Sequence, residues 1–206
     1  MKTKIIRSDF PEAISQALSI LRRGGLVALP TDTVYGVGSL AFNGKAVESI
    51  YAAKDRPIEK AIPILIGDPN DFDKVAVNIP DMARKLAARF WPGPLTLVVP
   101  KNLSLPDSVS ATETVGVRMP DHPVAIAVLR AVGPMAVTSA NISGQPSPVS
   151  AEEVSAQLGG RIELIIDAGA TPGGIPSTLV DCTSDEPKIL RTGPLTLEDI
   201  QSALDK

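Results

Sequence analysis

Short β-branched runs alternate with stretches of helical period along the whole chain, and this alternation sets the expected fold. Lys4–Arg7 predicts a first strand. Across residues 11–23 the apolar side chains of Ile14, Ala17, Leu18 and Leu21 share one helical face, and Gly24-Gly25 supplies the stop. Residues 26–29 predict a buried strand, followed by a loop to Gly38 and a helix over Gly44–Lys54 that buries Val47, Ile50 and Tyr51. Further strands are expected at 62–66, 95–99, Thr114–Arg118, 135–138 and 162–166. Helices are expected at Asp81–Phe90, 124–132 and Ala151–Leu158. Residues 178–180 and 188–190 are expected to pair as antiparallel neighbours before a last helix, Leu197–Leu204. The class is α/β, a twisted mixed sheet with flanking helices.

Composition narrows the picture. A chain of 206 residues fits a single domain over 1–206. Only 3% of residues are aromatic, so aliphatic side chains must fill the core. The one cysteine, Cys182, has no internal disulfide partner, which points to a reducing compartment. The sequence shows no cationic start leading into an apolar signal segment and no run of 18 apolar residues, so a cytoplasmic protein without a membrane is expected. A formal charge of −3 argues against a surface coated in basic residues for bulk nucleic-acid binding, though not against a local basic cleft. The one histidine, His122, lies between prolines in MPDHP and reads as a surface loop residue. Chemistry that leans on histidine, such as zinc ligation or an acyl-transfer triad, is thereby disfavoured.

The Pro, Gly, Ser and Thr clusters fall after strands, where open α/β sheets bind ligands. The first, Pro30 to Gly38, carries two threonines, an aspartate and glycines that permit close backbone approach. Its GVGSLA segment matches a dinucleotide-binding GxGxxA only formally, because no strand precedes the glycines directly and no strand-ending acid follows. The second, Lys54 to Lys60, places three cations within seven residues, as a phosphate clamp or as a solvated helix end. Trp91 opens WPGPLT and reads as a buried structural corner. Strand alternation puts Thr114, Gly116 and Arg118 on one face. The segment from Thr138 to Pro148 is dense in hydroxyls and amides that suit phosphate or ribose, and PSTLVD and ILRTG follow.

Taken together, PTDTVYG, KxRPxxK, WPGPLT, VRMP, SANISG, PSTLVD and ILRTG, in this order from about residue 5 to 193, resemble the YrdC-like family of L-threonylcarbamoyladenylate synthases. The resemblance implies helices and a mixed sheet around a large concave cavity. It also implies condensation of L-threonine, bicarbonate and ATP to threonylcarbamoyl-AMP and pyrophosphate. A separate complex then transfers the threonylcarbamoyl group to tRNA. It implies that Thr33, Arg118 and Ser177 contact threonine, and that Lys54, Arg56 and Lys60 face the triphosphate and the carboxylated amine. Thr114, Ser139, Asn141, Ser147 and Arg191 would surround the nucleotide. No metal site made of protein side chains is implied; Mg2+ would be held mainly through the ATP phosphates.

Two departures stand out. Longer members carry a histidine near the threonine where this chain has Leu65, and a second domain beyond the ILR segment where this chain ends on one helix. Two other readings remain at this level. One is an RNA-binding module, since residues 82–120 hold five Lys/Arg against two Asp/Glu. The other is a carbamoyl-adenylate-forming paralogue that takes another substrate in place of threonine.

Overall fold

The computed structural model describes residues 2–205. In chain order the elements are β1 (Lys4–Arg7), α1 (Glu12–Arg22), β2 (Val27–Leu29), β3 (Gly36–Leu40), α2 (Gly44–Lys54) and β4 (Ile64–Leu65). A 3-10 turn (Pro69–Asp71) leads into α3 (Phe72–Val75), α4 (Asp81–Phe90), β5 (Leu95–Pro100), β6 (Thr114–Arg118), α5 (Pro123–Val132) and β7 (Met135–Ser139). The chain continues through α6 (Ala151–Leu158), β8 (Leu164–Asp167), β9 (Thr178–Asp181), β10 (Lys188–Arg191) and α7 (Leu197–Leu204).

The ten strands of the described residues form one mixed sheet, in the order β1-β8-β2-β3-β7-β4-β6-β5-β9-β10. The expected α/β class is observed, and β9 and β10 pair antiparallel as the sequence predicted. Six local expectations need correction. The segment read as a loop up to Gly38 contains β3, which lies antiparallel between β2 and β7. Its Gly-Val-Gly-Ser start has little strand propensity. The glycines are instead required by contact: a Cβ at Gly38 would sit 2.4 Å from the Ala136 carbonyl oxygen and 2.6 Å from Val137 Cγ2. Gly36 and Gly38 are therefore floor positions under Val137 within a strand, and not part of a dinucleotide-binding turn. The strand expected over 62–66 shrinks to Ile64–Leu65: Pro63 has no N–H and Ile62 donates to the Val109 carbonyl, while the Ile66 N–H closes the pairing with β6 at the Arg118 carbonyl. The turn and short helix over 69–75 were not anticipated, and β8 begins and ends later than expected. Finally, Trp91 is only partly buried: its indole N–H donates to the Leu95 carbonyl at 2.8 Å and its ring meets Phe72 edge-on. His122 does more than occupy a loop, since its Nδ1 accepts from the Val124 N–H at 3.3 Å and caps α5.

The two sheet faces are covered unequally. On one face Ala28, Val37, Ile64, Leu95, Leu97, Val99, Val115, Val117, Ala136, Ile165 and Val180 pack beneath α2, α4, α6 and α7 in one core. On the other, Val27, Leu29, Leu65, Met135, Val137, Leu164 and Ile166 pack against Ala13, Ala17 and Leu21 of α1 and Ala125, Val128 and Leu129 of α5. That second helical layer covers the β1 end of the sheet. It does not extend over β6, β5, β9 and β10, whose residues are absent from that core.

The C-terminal end of α2 places a lysine inside the protein. Lys54 is 1% exposed, and its ammonium donates to the carbonyls of Ser139 and Asn141 while its own carbonyl accepts from the Ser143 N–H. Helix and loop are thus tied by main chain and side chain together. Burial, reinforced by the nearby Arg56, pushes the Lys54 ammonium down to about 7.

Two outcomes follow from this architecture. Gly38→Ala should destabilise the protein by about 1–3 kcal/mol in chemical denaturation, because the new methyl meets backbone on β7. Between pH 7 and the ordinary lysine range, the unfolded chain keeps the Lys54 proton that the folded chain releases, so this group makes stability rise with pH. Below about pH 7 both states are protonated and the group adds no slope. Unfolding free energies measured from pH 7 to 10 should therefore climb more steeply for the parent than for Lys54→Met, by up to about 1.4 kcal/mol per pH unit. Parallel curves would show that the buried amine is not depressed.

Candidate active site

A cavity of about 450 Å³ occupies the sheet face that α1 and α5 leave uncovered. Its floor follows from strand alternation. Thr96 and Val98 of β5, Thr114, Gly116 and Arg118 of β6, Val137 and Ser139 of β7, and Leu65 of β4 all face it, while most of their sequence neighbours face the opposite core. The ligand space therefore lies on the sheet face as well as beyond the strand ends, which is where the sequence alone directed attention.

β10 reaches this face by an irregularity. Ile189 pairs with Val180 and Arg191 pairs with Leu179, so one residue, Leu190, is extra between them. The bulge turns Arg191 to the cavity side, in register with Leu179, which also lines the space.

The wall chemistry is uniform in sign. Arg56, Arg118 and Arg191 line the cavity together with Thr31, Thr33, Thr96, Ser110, Thr112, Thr114, Thr138, Ser139 and Ser177, and among the described residues no Asp or Glu lines it. At one end, Arg118 is buried. Its Nε donates to the Gly93 carbonyl at 3.0 Å, Nη1 to Thr33 Oγ1 at 3.0 Å, and Nη2 to Asp32 Oδ1 at 2.5 Å. Thr31 Oγ1 lies 3.0 Å from Thr33 Oγ1 and donates to the Val34 carbonyl, which fixes the turn that presents Thr33. Burial pushes the Arg118 guanidinium down, and Asp32 opposes that shift.

At the other end, Arg191 donates to the Ser177 carbonyl through Nε and Nη2, at 3.1 and 2.9 Å, and through Nη2 to Ser177 Oγ at 3.1 Å. Ser177 Oγ in turn lies 2.7 Å from Thr96 Oγ1. Arg56 is held against the Lys60 and Ala61 carbonyls at 3.2 and 3.0 Å. Burial lowers both Arg56 and Arg191, and Arg56 lowers Arg191 further by direct repulsion. Like charges gathered on a wall without acids make a site prepared for anions.

The residues proposed from sequence divide into two sets. Thr33, Arg56, Thr114, Arg118, Ser139, Ser177 and Arg191 line one cavity. Lys54, Lys60, Asn141 and Ser147 do not lie on its wall. Lys54 is turned into the protein as described, and Lys60 is exposed, contributing its carbonyl to Arg56 and to the Tyr51 hydroxyl. Asn141 is buried; its amide donates to the Ile142 and Gln145 carbonyls at 2.8 Å, and its Oδ1 has no partner among the described residues. Ser147 is half-buried beyond that turn. Sequence reading singled out the segments that hold Thr31, Asp32 and Thr138 without giving these residues a role, and passed over Thr96, Ser110 and Thr112 on the wall. For Thr96 the signal was available: applied to the strand over 95–99, alternation puts it opposite Leu95 and Leu97.

The fold is shared with known proteins. The sequence profile of the family described as "Sua5_yciO_yrdC: Telomere recombination" matches residues 19–193. A Bacillus subtilis protein named threonylcarbamoyl-AMP synthase is 45% identical over 194 residues, covering 93% of this chain and 56% of its own length. The crystal structure of Pyrococcus abyssi Sua5 complexed with L-threonine superposes with a TM-score of 0.94 at 42% identity, covering 99% of this chain and 61% of that one. Escherichia coli YciO superposes with a TM-score of 0.85 at 28% identity, covering 96% of this chain and 99% of that one. The chain thus spans little more than half the length of the first two relatives and nearly all of the third. A match of the family profile over most of its length, joined to this sheet and cavity, places the chain in the Sua5/YciO/YrdC family.

Proposed function

We propose that this chain is a threonylcarbamoyl-AMP synthase whose catalytic domain spans residues 1–206 and works in the cytoplasm. It condenses L-threonine, bicarbonate and ATP to threonylcarbamoyl-AMP and pyrophosphate, and so supplies the activated group for tRNA threonylcarbamoyladenosine modification by a separate transfer complex. The observation that carries this reading is the wall itself: Arg56, Arg118 and Arg191 with a dense set of hydroxyls and no carboxylate. The bound threonine of the P. abyssi relative supports threonine as the amino acid.

The chemistry asks for such a wall. The threonine amine adds to the carbon of bicarbonate, water leaves, and a carbamate remains. A carbamate oxygen then attacks the α-phosphorus of ATP, the bond to the β-phosphate bridging oxygen breaks, and pyrophosphate departs. No protein nucleophile is needed. All participants other than the amine are anions, and two unit charges ~4 Å apart interact by ~4 kcal/mol at an effective dielectric of 20. The protein's work is to offset that repulsion and to align the reactants, which can contribute ~7–11 kcal/mol. An enclosed site also shields the carbamate from water. Mg2+ fits as a companion of the ATP phosphates, since the cavity wall offers hydroxyls and no acid to hold it independently.

Roles follow position. Arg118 with Thr33 takes the threonine carboxylate, and Ser177, hydrogen-bonded to Arg191 and Thr96, joins the threonine contact to the nucleotide one. Arg56, Arg191, Thr114 and Ser139 take the nucleotide. Lys54 and Asn141 brace the loop that presents Ser139, and Lys60 holds Arg56 through its carbonyl. The RNA-binding reading is weaker, because the cavity wall has no aromatic stacking platform.

The decisive measurement is pyrophosphate release that requires ATP, L-threonine and bicarbonate together, with threonylcarbamoyl-AMP identified by mass. Release that proceeds equally without threonine would overturn the assignment. Arg118→Ala should raise the threonine requirement about 10- to 100-fold, the loss of a charge-assisted contact. Arg56→Ala should mainly lower turnover.

A further inference from the structure

The aspartate of the PTDT turn has no role in the scheme above. Asp32 does not line the cavity. Its side chain is largely buried behind Arg118, at 13% exposure. Its Oδ1 accepts two hydrogen bonds, from Arg118 Nη2 at 2.5 Å and from the Asp121 N–H at 3.0 Å. Asp121 lies three residues beyond Arg118, so one oxygen ties the turn after β2 to the chain leaving β6.

A guanidinium has five N–H donors in a rigid plane. The described contacts of Arg118 use one on each nitrogen: Nε to Gly93, Nη1 to Thr33 and Nη2 to Asp32. One N–H remains on each terminal nitrogen, and either can donate a charge-assisted hydrogen bond to a carboxylate. Gly93 and Thr33 alone set two points of the plane with neutral acceptors. Asp32 adds the third point and the only carboxylate paired with this guanidinium. It also limits the cost of burying an arginine, since it opposes the downward pull of burial on Arg118.

We infer that Asp32 is a positioning residue for amino-acid recognition: by gripping Arg118 Nη2 from behind the cavity wall, it aims the remaining N–H groups at the substrate carboxylate. This inference rests on the threonine reading of the Arg118 end. Its specific consequence is selectivity of effect. Arg56 and Arg191 have their own hydrogen-bond partners and neither bonds to Asp32; Arg191 reaches Arg118 only by charge repulsion, so loss of Asp32 should fall mainly on the threonine end.

The test compares the parent protein, Asp32→Asn and Asp32→Ala in steady-state pyrophosphate release, varying threonine and ATP separately. The alanine variant loses the acceptor and should raise KM for threonine about tenfold or more. The asparagine variant keeps a neutral acceptor, at Oδ1, for the Asp121 N–H and Arg118, and should fall between the two. KM for ATP should stay within about twofold in both, since a contact made only at the other end is untouched. A threonine KM at the parent level in either folded variant, or parallel rises in both KM values, would overturn the inference. If Asp32→Ala does not fold, the asparagine variant decides the matter by the same criterion. Calorimetric titration of L-threonine into the same proteins keeps the two readings apart. Parent protein that binds threonine but releases no pyrophosphate sinks the synthase assignment, while equal threonine affinity in parent and variants sinks the role of Asp32. Parent protein that does not bind threonine at all removes the ground for both.

Discussion

The site depends on one constraint: a sheet with two faces and only three half-layers of helix to cover them. α2, α4, α6 and α7 pack one face, while α1 and α5 reach across only the β1 side of the other. The uncovered half has to be stabilised without helical packing. It is lined instead by groups that tolerate water, chiefly hydroxyls and guanidiniums, with Leu65, Val98 and Val137 between them. Because the β-strand period is 2, each strand crossing this region carries both jobs at once, apolar toward the full layer and polar toward the open half. β6 shows it most plainly: Val115 and Val117 are core, and Thr114 and Arg118 are wall.

Electrostatics completes what packing leaves open. Burial of three arginines around a small space, with Arg56 repelling Arg191 and Arg191 repelling Arg118, raises the free energy of the site without an anion. Each is nevertheless anchored by carbonyls or by Asp32, so none can swing away to relieve the strain. An anion that enters meets donors already oriented and gains interaction without much reorganisation. The chain's overall negative charge is no obstacle, because the acids lie elsewhere than on this wall.

Much of this was legible in the sequence, and the failures have physical causes. Strands such as Thr114–Arg118, with their clean alternation, announced both their existence and their facing. β3 did not, since its glycines are there to admit Val137 and a strand without side chains on one face carries no periodic signal. Arg56, Arg118 and Arg191 could be named from their motifs, yet only the bulge in β10 explains why Arg191 faces the cavity, and bulges leave little trace in sequence. Lys54 shows the opposite limit. A cation beside two others looks like a ligand for phosphate, but a short turn after α2 separates it from Arg56, and its ammonium goes to the Ser139 and Asn141 carbonyls on the inner side. The ion pair from Asp32 to Arg118 joins residues 86 positions apart, a distance over which no local pattern speaks.

The sharing of strands between core and cavity has a consequence for how this protein tolerates error. A slip of one residue in β5 or β6 would send Thr96, Thr114 and Arg118 into the helical layer and expose Leu97, Val115 and Val117 to solvent. Such a chain would be both unstable and inactive, so a well-folded but dead isomer of this kind is not available to the sequence. Length changes should accordingly be confined to the connections between strands. Function and folding are inspected by the same register, and a molecule that passes one check has largely passed the other.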